Sequence, residues 1–193
     1  MLFVGVMVST LTLRIRDQAA AARERERRTA AMYALSRDLG SRRAAGEIGA
    51  VAARHAEDLL GTQCVIGWDD EHGDFAQRAG LAQHEAAGVH EMAVARWVKE
   101  HGRPAGYGTG TLPGTRFAYF PLVGTDRVLG VFGIAVGARP EQLTPSQRQL
   151  AETIVSQTAL ALERAALSAE AADARLAAEA EGIADCQHLL SDT

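Results

Sequence analysis

The C-terminal part of the chain is a helical segment that no small domain can cover along its whole length. Thr144 is suited to cap a helix and Pro145 suits the first helical position, and no strong breaker follows before Gly182. A helix of about forty residues is roughly 60 Å long, at about 1.5 Å per residue. We therefore expect a compact domain from which one long helix projects.

A weak heptad pattern runs along this predicted helix. Apolar residues recur every seven positions, and in most repeats an alanine follows four positions later. The residues concerned are Val155, Leu162, Ala169, Leu176 and Ile183, with Ala159, Ala166 and Ala180. The pattern predicts a parallel homodimer through the long helices. The alternative is that only Leu150 to Leu162 packs on the domain and the rest is a helix favoured by alanine alone.

The N-terminus begins with an uncharged apolar run, Met1 to Leu13, followed by Arg14 and Arg16. A complete membrane span needs roughly 20 apolar residues, so this run is too short to cross a bilayer alone. Its positive charges follow the apolar residues, which is the reverse of a secretory signal and fits the positive-inside rule. We interpret residues 1–16 as the end of a transmembrane helix in the inner membrane, with the remaining chain in the cytoplasm. A buried or interfacial helix is the alternative.

Between the two ends, the hydrophobic periodicity predicts helices and two β-hairpins. Period-3.6 patterns indicate helices, and short β-rich runs closed by turn residues indicate strands. In order, the predicted elements are a linker helix after Asp17, a helix from Ile48 to Leu60, strands Cys64–Trp68 and Phe75–Ala79, a helix from His84 to Glu100, and strands Arg116–Val123 and Arg127–Val136. The expected fold class is α+β, an antiparallel sheet flanked by helices, with the long helix at its C-terminal end.

A Gly-rich segment, HGRPAGYGTGTLPG, joins a predicted helix to a predicted strand. The backbone amides of residues 106–111, with the hydroxyls of Thr109 and Thr111, could form a concave nest for an anion. The alternative is a structural connection in which glycines adopt positive φ and prolines fix the start of the strand. The segment has no lysine for a P-loop, and its place between helix and strand excludes a dinucleotide-binding turn.

Composition argues against several other classes of function. The net charge of -4 gives no reason to expect nucleic-acid binding. Cys64 and Cys186 lack a C-x-x-C spacing, and the six histidines lack a metal-ligand spacing. Cys64 lies in an apolar strand run, which favours a buried, inert thiol. We therefore predict no catalytic residue, no metal and no cofactor for this chain.

Three segments resemble KdpD-type potassium-responsive sensor histidine kinases: Gln18–Leu39, Val94–Gly114 and Leu143–Ile183. Their most specific parts are W-V-x-x-H-G-x-P-A-G-x-G-T-x-T-L-P, P-x-Q-x-x-L-x-E-T and A-L-E-R at Ala161 to Arg164. The resemblance covers nearly the whole chain and implies a GAF domain that follows the last of four membrane helices. The boundaries it implies are 1–16 for the end of that helix, 17–43 for the linker helix, 44–165 for a GAF-like sensory domain, 166–185 for a coiled-coil exit helix and 186–193 for a divergent tail.

The resemblance also sets an expectation for activity. In the family, an S-H-D-L-R-T-P box and an ATP-binding domain follow the long helix, whereas here CQHLLSDT does not continue the pattern and His188 is not followed by Asp-Leu-Arg. We expect a truncated regulatory portion without kinase activity. Its implied partners are a second copy, the ATP-using kinase core and a response regulator that controls potassium uptake.

GAF pockets generally lie between the sheet and the helices and loops that cover it. By this analogy, the predicted pocket-lining residues are Trp97, His101, Tyr107, Thr109, Thr111 and Tyr119. Two alternative functions stay open from the sequence. One is a free-standing GAF protein that binds a small molecule. The other is a GAF-type reductase of free methionine sulfoxide, although such enzymes rely on several cysteines.

Overall fold

The computed structural model describes residues 23, 26–69, 75–80, 88–135 and 144–191. Within these residues there are four helices and five strands. In chain order they are α1 (26–40), α2 (Ala45–Leu60), β1 (Cys64–Asp69), β2 (Phe75–Gly80), α3 (Val89–His101), β3 (Ala105–Gly106), β4 (Phe117–Val123), β5 (Val128–Ala135) and α4 (Pro145–Ser191). The predicted end of a transmembrane helix, residues 1–16, lies outside these ranges.

The strands form one antiparallel sheet in the order β2-β1-β5-β4-β3. Because successive side chains of a strand point to opposite faces, the two faces have separate cores. Ile66 and Phe120 belong to the core shared with α1, α2 and α4. Val65 and Tyr119, each one position away, belong to the core shared with α3. The predicted antiparallel sheet flanked by helices is confirmed, and the short edge strand β3 is an addition to it.

Helices α1 and α4 run side by side in the same direction. Arg28 Nη1 donates to Ser146 Oγ over 2.8 Å near the start of both helices. Further along, Ser36 Oγ donates to Gln157 Oε1 over 3.2 Å. Leu35 of α1 is fully buried in the core that α4 shares. The N-terminal ends of the two helices therefore lie together, and α4 continues beyond the end of α1.

The start of α4 is fixed by a reciprocal capping box. The N–H of Gln147 donates to Thr144 Oγ1 over 3.2 Å, and Gln147 Oε1 accepts the N–H of Thr144 over 3.0 Å. These bonds satisfy backbone donors that a helix start leaves without partners. The predicted cap and the first helical proline are confirmed.

The end of α4 differs from the prediction, because Gly182 does not stop the helix. The helix extends to Ser191, so the residues expected to form a divergent tail from 186 onwards continue it. A glycine inside a helix costs only about 1 kcal/mol relative to alanine, and the flanking residues here are mostly strong helix formers. A single glycine without a following proline was therefore too weak a stop signal.

The predicted heptad seam of α4 is wrong over its N-terminal half. Val155, Ala159 and Leu162 are buried in the core of their own domain, so they are not available to a second helix. The side chains of residues 167–179 are exposed, and that part of the predicted seam, including Ala169 and Leu176, is open to solvent.

The third helix begins at Val89, five residues after the predicted start at His84. Gly88 has φ -56° and ψ 160°, which is not a helical conformation, so α3 begins after it. The helix ends as predicted at Gly102, whose positive φ of 62° lets its N–H bond to the carbonyl of Val98. Across the described residues, no helix combines the length and the apolar character that crossing a bilayer requires.

Candidate functional site

The Gly-rich loop after α3 forms hydrogen bonds mainly within itself. The N–H of Gly106 donates to the carbonyl of Thr111 over 2.8 Å, and the N–H of Tyr107 donates to the carbonyl of Phe117 over 2.9 Å. The hydroxyl of Thr109 lies 2.7 Å from the carbonyl oxygen of Gly106 and 2.8 Å from that of Thr111. Four of the six amides from 106 to 111, all except those of Gly108 and Gly110, are thus bonded within the protein, which favours the structural role of this loop.

Gly106 and Thr115 form a buried joint that holds the loop on the edge of the sheet. Gly106 has φ 101°, and a Cβ at this position would lie 2.3 Å from the carbonyl oxygen of Phe117. Thr115 is 5% exposed, and its hydroxyl donates to the same carbonyl over 2.8 Å. It also accepts the N–H of Tyr107 over 3.2 Å. Only glycine fits at position 106, and the contact between Gly106 and Thr115 fixes β3 against β4.

Trp97 and His101 lie one turn apart on α3 and stack on each other. Their ring centroids are 4.2 Å apart and their planes differ by 12°. His101 Nδ1 lies 2.9 Å from the carbonyl oxygen of Trp97, which places the proton on Nδ1 as the donor. Trp97 is half-buried and His101 is exposed. The stacked rings and this hydrogen bond thus stabilise the last turn of α3.

Tyr119 is the most constrained of the predicted pocket residues. It is 2% exposed, and its hydroxyl donates to Glu91 Oε2 over 2.8 Å. Glu91 Oε1 accepts the backbone N–H of Arg116 over 2.6 Å. The ring of Tyr119 lies over Gly133, and a Cβ added at Gly133 would come within 2.7 Å of that ring. Burial, followed by the hydrogen bond to Glu91, raises the pKa of Tyr119 far above its ordinary value, so the phenol stays protonated.

Beside Tyr119 a cavity of about 20 Å³ lies between the sheet and α3. Its lining is apolar apart from the tyrosine: Val65, Gly67, Phe75, Met92, Ala95, Tyr119 and Val131. A volume of this size holds about one water molecule. Of the six residues predicted to line a pocket, only Tyr119 borders this cavity. For Trp97, His101, Tyr107, Thr109 and Thr111, contact with a ligand stays a prediction.

The described residues contain no arrangement suited to thiol or metal chemistry. Cys64 is fully buried, and burial raises the pKa of its thiol far above the ordinary value. A thiol that stays protonated is a poor nucleophile, which argues against the reductase alternative. In the same part of the chain, no group of three or more His, Cys, Asp or Glu side chains is placed to hold a metal ion.

Two neighbouring residues of α4 connect parts of the fold that are distant in sequence. Arg164 Nη2 donates to the carbonyl oxygen of Leu39, at the end of α1, over 2.8 Å. Glu163 Oε1 accepts the N–H of Thr125 in the turn between β4 and β5, and these hydrogen bonds lower the pKa of Glu163. Sequence reasoning singled out the A-L-E-R segment but gave it no role, because both partners are remote in the sequence.

The GAF domain family model matches residues 45–164. The chain belongs to the GAF domain family. The whole GAF-containing chain is also similar to two curated sensor kinases. It is 32% identical over 183 residues to sensor protein KdpD of Escherichia coli K12, and the match covers 95% of this chain and 20% of that protein. It is 25% identical over 187 residues to sensor protein KdpD of Clostridium acetobutylicum, covering 94% and 21%.

Solved structures show the same GAF fold. The crystal structure of the native GAF domain of the potassium sensor histidine kinase KdpD from Escherichia coli has 27% identity and a TM-score of 0.63, over 73% of this chain and 96% of that one. The GAF domain of an Acinetobacter phosphoenolpyruvate-protein phosphotransferase has 14% identity and a TM-score of 0.56, over 72% and 94%, which shows the fold alone. The predicted resemblance to KdpD-type sensors and the GAF-like fold are confirmed. The chain spans about one fifth of its curated relatives.

Proposed function

We propose that this GAF domain relays a signal between a membrane segment and a kinase core in a KdpD-type sensor histidine kinase. The observation that carries the proposal is the hydrogen bond from Arg164 to the carbonyl of Leu39, which ties the linker helix α1 to the exit helix α4. Glu163, the preceding residue, ties the same turn of α4 to the sheet. A displacement of α1 therefore acts on α4 and on the sheet together.

The direction of the helices suits such a relay. Because α1 and α4 are parallel, a signal that arrives at the start of α1 leaves at the opposite side of the domain, along the exposed part of α4. In the proposed arrangement, residues 1–16 are the end of a transmembrane helix. Arg14 and Arg16 then lie on the cytoplasmic side, and the domain faces the cytoplasm at the inner membrane.

The proposed partners follow from the similarity to KdpD over 95% of the chain. The kinase core would bind ATP and carry the phosphoacceptor histidine, and a response regulator of potassium uptake would receive the phosphate. We expect the 193-residue chain by itself to transfer no phosphate, because His188 is not followed by the Asp-Leu-Arg of the family's box. We propose no nucleic-acid partner and no cofactor of the GAF domain itself.

A homodimer through α4 is part of the proposal. Leu160 and Leu167 are 62% and 60% exposed, and their spacing of seven residues places them on one face of the helix. A parallel partner helix would cover both. Replacing both leucines with glutamate should convert a dimer to a monomer in light scattering coupled to gel filtration. Val89→Glu, which changes a 91% exposed residue of α3, is the control and should leave the mass unchanged.

A chimeric kinase tests the relay directly. The segment of Escherichia coli KdpD that this chain matches is replaced by this chain, and phosphorylation of the response regulator is followed under high and low potassium. We expect the chimera to respond to potassium. Its Arg164→Ala variant should lose most of this response when the two proteins are present in the membrane in equal amounts. A chimera that is present in the membrane but gives the same output with and without potassium would refute the relay.

A further inference from the structure

A groove with a volume of about 560 Å³ lies where α4 leaves the domain. It is on the sheet face away from α3 and is bounded by α4, the start of β5, the end of β1 and the segment before α2. The residues that carry the argument are Arg43, Trp68, Arg127, Leu129, Leu162 and Ala165. Small-molecule sites in proteins have volumes of roughly 300–1,000 Å³. The groove is therefore large enough for a ligand, unlike the cavity beside Tyr119.

Two arginines contribute positive charge to the groove. Arg43 precedes α2 and Arg127 precedes β5, and both are exposed. Within the described ranges, neither guanidinium donates a hydrogen bond or joins an ion pair. Asp69 also lines the groove; its Oδ2 pairs with Lys99 of α3, and its Oδ1 is buried without a hydrogen-bond partner among the described residues. Neither guanidinium is paired with Asp69 or with another described carboxylate, so both positive charges are available to an anion.

The floor of the groove is apolar. Trp68 is half-buried and packs with Leu129 against the core that α2 and α4 share. Leu162 and Ala165 of α4 are nearly fully buried beneath it. A guanidinium recognises carboxylate or phosphate through two parallel hydrogen bonds, and an indole offers a flat surface to an apolar ring. The combination fits a molecule that has both parts.

We infer that this surface, the Arg43–Arg127 groove, binds a small amphipathic anion: a ring-bearing carboxylate or phosphate ester. Its anionic group lies between the two guanidiniums, and its ring lies on Trp68 and Leu129. Such a ligand contacts the segment after α1, the turn before β5 and the exit helix at once. These are the parts of the fold that Glu163 and Arg164 connect, so binding would hold them in one arrangement.

Fluorescence of Trp68 tests the inference on the full 193-residue chain. The chain has two tryptophans, so Trp97→Phe leaves Trp68 as the only reporter. Phenyl phosphate and benzoate are titrated as probes, with inorganic phosphate and benzyl alcohol as the anion-only and ring-only comparisons. We expect a saturable change with at least one ring-bearing anion, at a concentration at least tenfold lower than either comparison requires. Which of the two probes binds more tightly distinguishes a phosphate ligand from a carboxylate ligand.

Arginine variants locate the binding. Arg43→Ala and Arg127→Ala should each weaken binding of the preferred probe at least tenfold, while Arg54→Ala, an exposed arginine of α2 outside the groove, should not alter it. Exposed arginines can be replaced without loss of the fold, and circular dichroism checks this. A response that fails to saturate, that inorganic phosphate reproduces, or that survives in the Arg43→Ala/Arg127→Ala double variant would overturn the inference. Since no kinase is involved, this result is independent of the relay experiment.

Discussion

Arg164 of the exit helix donates a hydrogen bond over 2.8 Å to the backbone carbonyl of Leu39, a residue 125 positions earlier in the chain. The same carbonyl accepts the N–H of Arg42 over 3.3 Å, so both of its lone pairs are used at the end of α1. The last carbonyls of a helix have no partner inside the helix. Arg164 therefore caps α1 from α4 and joins the two helices.

Arg164→Ala should loosen α1 more than the rest of the domain. Loss of one hydrogen bond from a charged donor should lower the free energy of unfolding by about 1–2 kcal/mol. Hydrogen exchange measured by mass spectrometry should become faster in residues 26–39, with little change in β4 and β5. Arg175→Ala, in the exposed part of α4, is the control. A uniform increase across the domain would mean that the contact stabilises the fold without tying the helices.

The contact between Asp38 of α1 and His55 of α2 should make stability depend on acid pH. His55 Nε2 lies 3.0 Å from Asp38 Oδ2, and this hydrogen bond, more than the charge of Arg37, lowers the pKa of Asp38. The pKa of Asp38 in the folded state is below its unfolded-state value of about 4. The contact therefore stabilises the fold fully above the unfolded-state pKa, and this stabilisation is lost as the pH falls through the folded-state pKa. Asp38→Asn should therefore reduce the loss of stability below about pH 4.

Urea unfolding at a series of pH values measures this dependence. Asp58→Asn is a matched control, because Asp58 is an exposed carboxylate on α2 that forms no hydrogen bond or ion pair with the described residues of α1. If the free energy of unfolding falls equally with acid pH in wild type and Asp38→Asn, the contact between Asp38 and His55 does not contribute to stability in solution.

Tyr119→Phe should destabilise the domain at neutral pH and change its response to alkali. The variant loses the hydrogen bond to the Glu91 carboxylate, which costs roughly 1.5–3 kcal/mol for a charged partner. Burial raises the pKa of Tyr119, so wild-type stability is full below the unfolded value of about 10 and falls as the pH rises above it. The variant should lose less stability between about pH 9 and pH 11. Tyr33→Phe, at a 73% exposed position, should behave like wild type.

Gly106→Ala should be far more damaging than Gly110→Ala, although both glycines lie in the same loop. A Cβ at Gly106 would lie 2.3 Å from the carbonyl oxygen of Phe117, and the positive φ of 101° disfavours any L side chain. We expect a loss of at least about 2 kcal/mol in thermal or urea unfolding. Gly110 has open space around it, so its variant should differ from wild type by less than about 1 kcal/mol. Equal effects would show that the loop is not fixed at Gly106.

Elements with a strong period could be predicted from the sequence, whereas short or isolated signals could not. The apolar spacing from Ile48 to Leu60 identified α2, and two β-rich runs separated by turn residues identified the hairpin of β4 and β5, because each pattern extends over several residues. The two-residue strand β3 has no period to detect. The start of α3 depended on one extended residue, Gly88, which the apolar spacing does not reveal.

The candidate sites were less predictable because they depend on tertiary contacts. Tyr119 was foreseen, but its partner Glu91 lies 28 positions earlier, on α3. The Gly-rich loop is rich in potential donors, and only the structure shows that Gly106, Tyr107 and Thr109 use theirs internally. The Arg43–Arg127 groove combines segments 84 positions apart, and no local pattern marks it.

The C-terminal part of α4 is long enough to act as a lever that amplifies small movements of the domain. From Arg164 to Ser191 the helix extends about 40 Å, at about 1.5 Å per residue. Over that length, a tilt of about 10° pivoting at Arg164 would move the far end by roughly 7 Å. The domain can therefore remain almost rigid while a small tilt of α4 at Arg164 displaces the far end of the helix by as much as one helical turn, about 5.4 Å.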